Sequence, residues 1–563
     1  MRLLRPPDPR PHPRPRHPPP PRRPAHLGEP RRRLPHLQPP QGGPHPPGSP
    51  HDPPPRARRP PRQHLPRFLP LPRKRRSLAQ VHPRLGRRRP RRRRLTVQQT
   101  SLVRSRASGI ISVRISPEVE PVKPTAPNWR ELVADKLVSP EEAVAVVKDG
   151  DWVWTGGWTS VPPQLCAALA ARAGQVKDVT IVNFLSPFNW DRPEVLAHWK
   201  VITGYCSPFD RKAAREGRIE YVPVSRFREG KMPPGLDRLD VALIPISPPD
   251  EDGWCSFGSG VFFGPTVSSI ATTLIGEIHE NFIRTGGGNR IHIDRFARVC
   301  EYTLPPAAAP IPPRTEETEI AANVICTLVA NEIVYDGATL QFGIGDVSAA
   351  LPVFLEEKHD LGVHTELLPG GIPDLVEKGV ITGKYKPHHV GKVVASALGQ
   401  VPPEDLARID GNDTYELYDF THTDDIRLLL QIENFIAVNN AMAVDLTGNV
   451  SSETQGNLVY SGTGGQAVFA IGASTAANGS VIVLPSSSLI GDTRHTRIVG
   501  GHPPGTVVTV HRGFVDYVVT EQGIAKLTGK SIRERINEMI SVAHPDFRGE
   551  LKKEAQRLYG ITV

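Results

Sequence analysis

Cysteine is scarce in this 563-residue chain: there are five, Cys166, Cys206, Cys255, Cys300 and Cys326. No two form a C-x-x-C pair, and their spacings match neither a zinc site nor a disulfide framework. A small, odd number in a long chain fits a reducing compartment. Long apolar runs are also missing. No stretch reaches the roughly eighteen apolar residues of a membrane-spanning helix, and the opening MRLLRPPDPR lacks the apolar run of a secretory signal. A cytoplasmic location is the expectation, with a mitochondrial one as the alternative.

Acidic residues are nearly absent from the first hundred positions, which hold 27 Lys or Arg against 3 Asp or Glu and 29 of the 61 prolines. The remaining 463 residues hold 42 basic and 55 acidic groups, so the overall charge of +11 comes entirely from the tail. Almost no aromatic or β-branched residues occur there. Such a segment cannot bury enough apolar surface to offset its ordering entropy, and residues 1–116 read as a disordered Arg/Pro-rich segment with polyproline II character. Its arginine runs (Arg87–Arg89, Arg91–Arg94) suit RNA or acidic surfaces. A solvated tail, or a start codon placed upstream, accounts for them better than a nucleic-acid partner does. Residues 95–116, Arg- and Ser-bearing and free of acids, also fit a targeting peptide.

The folded body begins near Trp129. Ser139 is positioned as an N-cap with Pro140 at the first helical position, and the helix should end at Gly150. Short apolar runs without alternation follow: DWVWTGG, DVTIVNFL, DVALIPI, ATLQFGIG, FIAVNNAMAVDL, GSVIVLP and DYVVTEQG. Helical stretches lie between several of them. Continuous apolar strands alternating with helices indicate parallel sheets covered on both faces. The fold class is therefore α/β with open, doubly wound sheets. LPPAAAPIPP at 304–313 reads as a linker, placing one domain at 129–313 and another at 314–563.

Two constellations carry chemistry. In the first, strand LQF leads into Gly343-Ile344-Gly345-Asp346-Val347 and a helix starting near Ser348. Glycines at a strand-to-helix turn let a charged or carbonyl oxygen approach backbone N–H groups. A second strand, LGVHTELL, then runs out at Glu366 before Pro369-Gly370-Gly371, which puts a carboxylate where open parallel sheets bind ligands. In the second, Tyr460-Ser461-Gly462-Thr463-Gly464-Gly465-Gln466 precedes a helix-like run and could supply an oxyanion-binding N–H.

Three other patterns fail. Gly523 to Ser531 resembles a phosphate-binding loop with one residue too many. Thr285-Gly286-Gly287-Gly288 reads as a turn with no helix behind it. His388-His389 reads as a surface pair, because no third ligand has metal-binding spacing.

GIGDV, LGVHTELL with PGG, VNNAMAVDLTGNVSSE, SGTGGQ with VFAIGA, and GFVDYVVTEQGIAKLTGKSIRERINEMISVAHPDFR occur in that order. In this combination the sequence closely resembles the acetyl-CoA hydrolase/transferase family, which includes 4-hydroxybutyrate, butyryl and acetate/succinate CoA-transferases. The resemblance covers most of residues 129–560. It implies two similar α/β domains with an acyl-CoA site between them, and Glu366 as the catalytic carboxylate. It implies CoA-binding backbone at Gly343, Ile344, Gly345, Asp346 and Val347, a further contact and oxyanion donor at Gly464 and Gly465, and Asn440 on the CoA wall. It implies acyl-CoA and a small carboxylate as substrates and a homo-oligomer; moving CoA between two carboxylates needs no cofactor or metal beyond the CoA thioester itself, and the lack of a long apolar run argues against a membrane partner. Hydrolysis of acetyl-CoA by the same glutamate is the alternative activity. The Leu-Leu after Glu366 and the TEQG at 520–523 depart from the commoner family pattern.

Overall fold

Apolar residues at successive strand positions must be buried on both sides of a sheet, and here they are. In the first sheet Val153, Ile181, Val201 and Leu243 face one core, shared with Leu165 and Leu169 of the helix Pro163–Ala170. Their neighbours Trp154, Val182, Ile202 and Ile244 face a second core. That second core continues without a break through Phe342, Val363, Val393 and Ile436 of the other sheet. Each fully buried side chain of this kind contributes about 1.5–3 kcal/mol. The computed structural model describes residues 122–225, 230–233, 235–303, 315–399 and 401–563. The segment 1–116 and the linker at 304–313 lie outside the described residues.

The first sheet comprises β1 (Trp152–Gly157), β2 (Thr180–Phe184), β3 (Lys200–Thr203), β4 (Glu220–Tyr221), β5 (Val241–Ile246), β6 (Thr273–Ile278) and, past a two-residue strand β7 (Gly286–Gly287), β8 (Phe296–Glu301). Its order is β8-β6-β5-β1-β2-β3-β4, with every pair parallel. The second sheet comprises β9 (Thr339–Phe342), β10 (Gly362–His364), β11 (Val393–Ala395), β12 (Tyr415–Leu417), β13 (Phe435–Asn440), β14 (Ser480–Val483), β15 (Tyr517–Thr520) and β16 (Gly523–Lys526). Its order is β16-β15-β14-β13-β9-β10-β11-β12-β7, parallel except for the final β15–β16 hairpin. Both sheets wind alike. Each starts in the middle, runs outward for three strands, then returns to build the other half. The winding reverses between β1 and β5 in one sheet and between β9 and β13 in the other, and such switch points are where open α/β sheets bind ligands.

Several local expectations are met and several corrected. Ser139 caps its helix through a reciprocal pair with Glu142, and Pro140 opens it. The helix stops at Val144 rather than Gly150, because Ala145 and Val147 bond three residues back and tighten the chain. Gly286 and Gly287 are not a turn but the strand β7, which crosses to the edge of the second sheet beside Glu416 and Leu417. A Cβ on Gly287 would lie 2.7 Å from the Leu417 carbonyl, so bare backbone is what lets the strand approach. The loop-like Gly523–Ser531 begins as β16 and holds no phosphate-binding turn. His389 is not on the surface: it is half-buried, bonded to Glu416 (2.8 Å) and His422 (3.1 Å). Among the described residues no three His, Cys, Asp or Glu side chains are arranged to hold a metal, and no helix is long and apolar enough to cross a membrane.

Candidate active site

Glu366 follows β10 after one intervening residue, and the chain there is pinned from both sides. The Thr365 hydroxyl exchanges hydrogen bonds with the Phe342 N–H and carbonyl at the end of β9, each at 3.0 Å. The Glu366 carbonyl accepts from the N–H groups of Ser396 and Ala397, also at 3.0 Å. With its backbone fixed, the side chain projects across the sheet ends to the glycine turn at 462–465. There the Gly465 N–H donates to Glu366 Oε2 (3.0 Å). A second carboxyl, Asp424, lies beside the same oxygen: Glu366 Oε2 and Asp424 Oδ2 fall 2.3 and 2.5 Å from the point that a Cβ on Gly465 would occupy. Burial raises the Glu366 carboxyl to about 7, against the opposing pull of the Asp424 and Gly465 hydrogen bonds. Glu366 remains open on one side, where it meets a cleft.

The cleft measures about 380 Å³. It is bounded by the C-terminal ends of strands from both sheets: Trp158, Leu185 and Tyr205 after β1, β2 and β3, and Gly343, Glu366, Asn439 and Asn440 after or within β9, β10 and β13. The 460–466 turn closes the far side. Beyond Glu366 it narrows into a chamber of about 40 Å³ walled by Trp154, Phe184, Phe262, Phe263, Leu367 and Phe420. Trp158, Leu185 and Phe262 hold φ values of 47°, 46° and 41°. Left-handed backbone at bulky residues costs about 1–2 kcal/mol each. Three such residues around one cavity mark where the fold spends stability on shape.

The predicted residues sort clearly. Gly343, Ile344, Glu366, Asn440, Gly464 and Gly465 all line the cleft. Gly345, Asp346 and Val347 do not. Val347 is buried, its carbonyl accepting from the Cys326 thiol (3.2 Å), and Asp346 opens the helix Asp346–Ala350. Gly343 and Gly345 admit neighbours closely: a Cβ on either would sit 2.4–2.5 Å from the Asn439 or Asn440 side chain. Asn440 in turn donates to Ser348 Oγ (2.7 Å) and the Ile344 carbonyl (3.1 Å), fixing the turn. Gly464, at φ 55°, lets the second turn double back. The turn rests on Glu453, whose carboxylate accepts from Thr463 (2.9 Å) and Thr509 (3.0 Å).

Sequence reasoning missed Tyr205, Asp424 and the aromatic chamber. Nothing in DFTHTDD singles out Asp424 from the two acids beside it, Asp419 and Asp425, both of which cap short helices. The chamber residues come from five separate segments, each reading as ordinary core.

Comparison with known proteins identifies the family. Family models described as the N-terminal and C-terminal domains of acetyl-CoA hydrolase/transferase match residues 127–301 and 405–555. The chain belongs to the acetyl-CoA hydrolase/transferase family. It is accordingly an enzyme of the CoA-transferase kind. The chain is 32% identical over 441 residues to the 4-hydroxybutyrate coenzyme A transferase of Clostridium kluyveri, covering 77% of this chain and all of that one. It is 33% identical to the succinyl-CoA:cyclohexane-1-carboxylate CoA transferase of Geobacter metallireducens, covering 79% and 100%. Among solved structures, RipA from Yersinia pestis superposes with a TM-score of 0.69 at 28% identity, over 77% of this chain and all of that one. Within this acetyl-CoA hydrolase/transferase fold, Glu366 is a half-buried carboxylate at the meeting point of two switch-point sheets.

Proposed function

We propose that this protein transfers coenzyme A from a short-chain acyl-CoA to a small carboxylate through a glutamyl-CoA thioester on Glu366. The observation that carries the reading is the placement of Glu366: partly desolvated, anchored at one oxygen by the Gly465 N–H, and open to a cleft that ends in an apolar chamber. A carboxylate is a weak nucleophile in water. Position and desolvation are what make it competent.

Oε2 is held, so Oε1 is the attacking atom. It bonds to the acyl carbon, the C–S bond breaks, and the electron pair leaves on the CoA thiolate. The thiolate then attacks Glu366 Cδ. The bond from Cδ to the bridging oxygen breaks, releasing the donor's carboxylate and leaving a thioester on Glu366. An acceptor carboxylate runs the two steps in reverse. No redox change occurs and no metal or cofactor is required. The amide-rich cleft wall (Gln341, Asn439, Asn440, Gln466) suits the amides of the pantetheine arm, and the chamber suits the acyl group. Incubation with acyl-CoA alone, followed by borohydride or hydroxylamine treatment and peptide mass analysis, is expected to find Glu366 modified. An active enzyme whose Glu366 stays unmodified would refute the scheme.

Two features of the chamber refine the reading. Its volume accommodates about three water-sized groups, enough for an acyl tail of two to four carbons. Its described walls carry no cation, and an unpaired carboxylate buried there would be costly. Acetyl-, propionyl- and butyryl-CoA are therefore expected to exceed succinyl-CoA in kcat/KM by roughly 100-fold or more. Initial rates on an acyl-CoA panel with acetate as acceptor decide this, and equal rates for succinyl- and butyryl-CoA would contradict it. The same apolar lining gives water few partners, which favours transfer over hydrolysis. CoA release without any acceptor carboxylate is expected to be at least about tenfold slower than transfer.

A further inference from the structure

Asp424 stands at the end of the helix Phe420–Thr423, fully buried, in a part of the chain that no motif marked. Its Oδ1 accepts from the Thr423 hydroxyl (2.9 Å). Its Oδ2 receives no N–H or hydroxyl donor and is turned toward Glu366 Oε2: both atoms lie within 2.5 Å of the point that a Cβ on Gly465 would occupy. Two carboxylate oxygens so placed repel if both are ionised and hydrogen-bond if they share one proton.

Building on the covalent role of Glu366, we propose that Asp424 works as a neutral carboxylic acid, donating its proton to Glu366 Oε2 and forming with the Gly465 N–H the oxyanion site of the glutamyl intermediate. The two donors converge on the oxygen that is never transferred. When the thiolate attacks Cδ, the carbonyl electron pair moves onto Oε2, where both donors already point. When the tetrahedral adduct collapses, the pair returns and the Cδ–Oε1 bond breaks. The same oxygen takes the charge again as the acceptor carboxylate attacks the thioester. The proton stays on Asp424 throughout, so donor and acceptor carboxylates exchange through Oε1 alone. Preorganised donors of this kind act most strongly in surroundings of low polarity, and Asp424 is fully buried.

The titratable groups around Asp424 fit this assignment. Glu366 faces it from the loop after β10, and Asp419 acts on it from the start of its own helix. His364 on β10 bonds the carbonyl of the preceding Thr423 (2.8 Å), and burial holds that imidazole neutral. Tyr205, from the first sheet, lies near Glu366 and is pushed up to about 12 by burial, so it too is neutral. Burial, followed by the Glu366 charge, pushes Asp424 well above the ordinary carboxyl range. The pair thus titrates in two steps. Burial raises Glu366 to about 7 and raises Asp424 well above the ordinary carboxyl range, and the two protons belong to the pair rather than to either residue. The active form is the singly protonated pair.

The test is the pH profile of kcat/KM in wild type, Asp424→Asn and Asp424→Ala. Wild type is expected to rise through about pH 7 and fall again at higher pH. Asparagine keeps a donor that cannot ionise. Asp424→Asn is expected to retain at least about a tenth of the activity and to lose the alkaline fall while keeping the rising limb near pH 7. Asp424→Ala is expected to lose roughly 100- to 1000-fold in kcat with little change in KM for acyl-CoA. An alkaline fall that persists unchanged in Asp424→Asn overturns the proposal, and this readout does not depend on whether the alanine variant folds. Alanine activity matching asparagine activity would overturn it too. Labelling of Glu366 by acyl-CoA in wild type separates either failure from a failure of the covalent scheme itself.

Discussion

Glu366→Ala is expected to reduce CoA transfer at least about 10⁴-fold, to the background of the binding site alone. Alanine removes both the attacking atom and the carbon that would carry the thioester, and the neighbouring carboxyl, that of Asp424, lines neither the chamber nor the cleft. That group cannot substitute, because it lies behind Glu366 with its oxygens turned to Thr423 and to Oε2. Glu366→Asp is the more instructive variant. Its charge is unchanged, yet the carboxylate retracts by about 1.5 Å, one carbon–carbon bond. That is enough to break the 3.0 Å contact with the Gly465 N–H. A misplacement of this size costs about 100-fold. Rates of butyryl-CoA formation from acetyl-CoA and butyrate measure both effects. Glu366→Ala turnover above about 1% of wild type would remove Glu366 from the chemistry.

Gly465→Ala is expected to fall nearly as far, about 100- to 1000-fold in kcat, although it adds only a methyl group. The reason is space rather than backbone conformation, since φ at this residue is −80°. The new Cβ would lie 2.3 Å from Glu366 Oε2, 2.5 Å from Asp424 Oδ2 and 2.7 Å from the Phe469 ring. The carboxylate cannot retreat toward Asp424, so it must swing into the cleft and give up both donors. The crowding against Phe469 adds about 1–3 kcal/mol of destabilisation, visible as a lower Tm. Gly464→Ala provides the contrast. Its Cβ would touch only the Tyr205 ring at 3.4 Å, and the penalty is the left-handed φ of 55°, about 1–2 kcal/mol. Alanine at 464 is expected to lower stability more than it lowers kcat, and alanine at 465 the reverse. Equal effects of the two on kcat would mean that Gly465 does not hold the nucleophile.

The unbroken apolar runs of 152–157, 241–246 and 435–440 announced strands buried on both faces, and they are. Glu366 was legible through the resemblance of LGVHTELL and the following PGG to the family's motif; by its place near a strand end alone it reads as an ordinary surface residue. The glycine turn at 462–465 was legible through the same resemblance, since a lone glycine loop ahead of a helix reads equally as a tight connection. Less legible was where each strand stopped. LGVHTELL breaks at His364: the Thr365 N–H still bonds the Val394 carbonyl, but on the other side its hydroxyl, not its backbone, meets the Phe342 N–H.

The order of apolar runs and glycine turns along the chain carries the α/β class, and the ordered motifs carry the family resemblance that points to Glu366, because burial and backbone freedom leave local patterns. The identical winding of the two sheets, the cleft between their strand ends and the partnership of Glu366 with Asp424 are decided only in three dimensions. Asp424 is 58 positions downstream of Glu366. Its side chain becomes an acid rather than a surface charge solely because the fold buries it against another carboxyl. The aromatic chamber likewise exists only where five distant segments meet. A cavity is a property of what surrounds it, and no single stretch of sequence contains its walls.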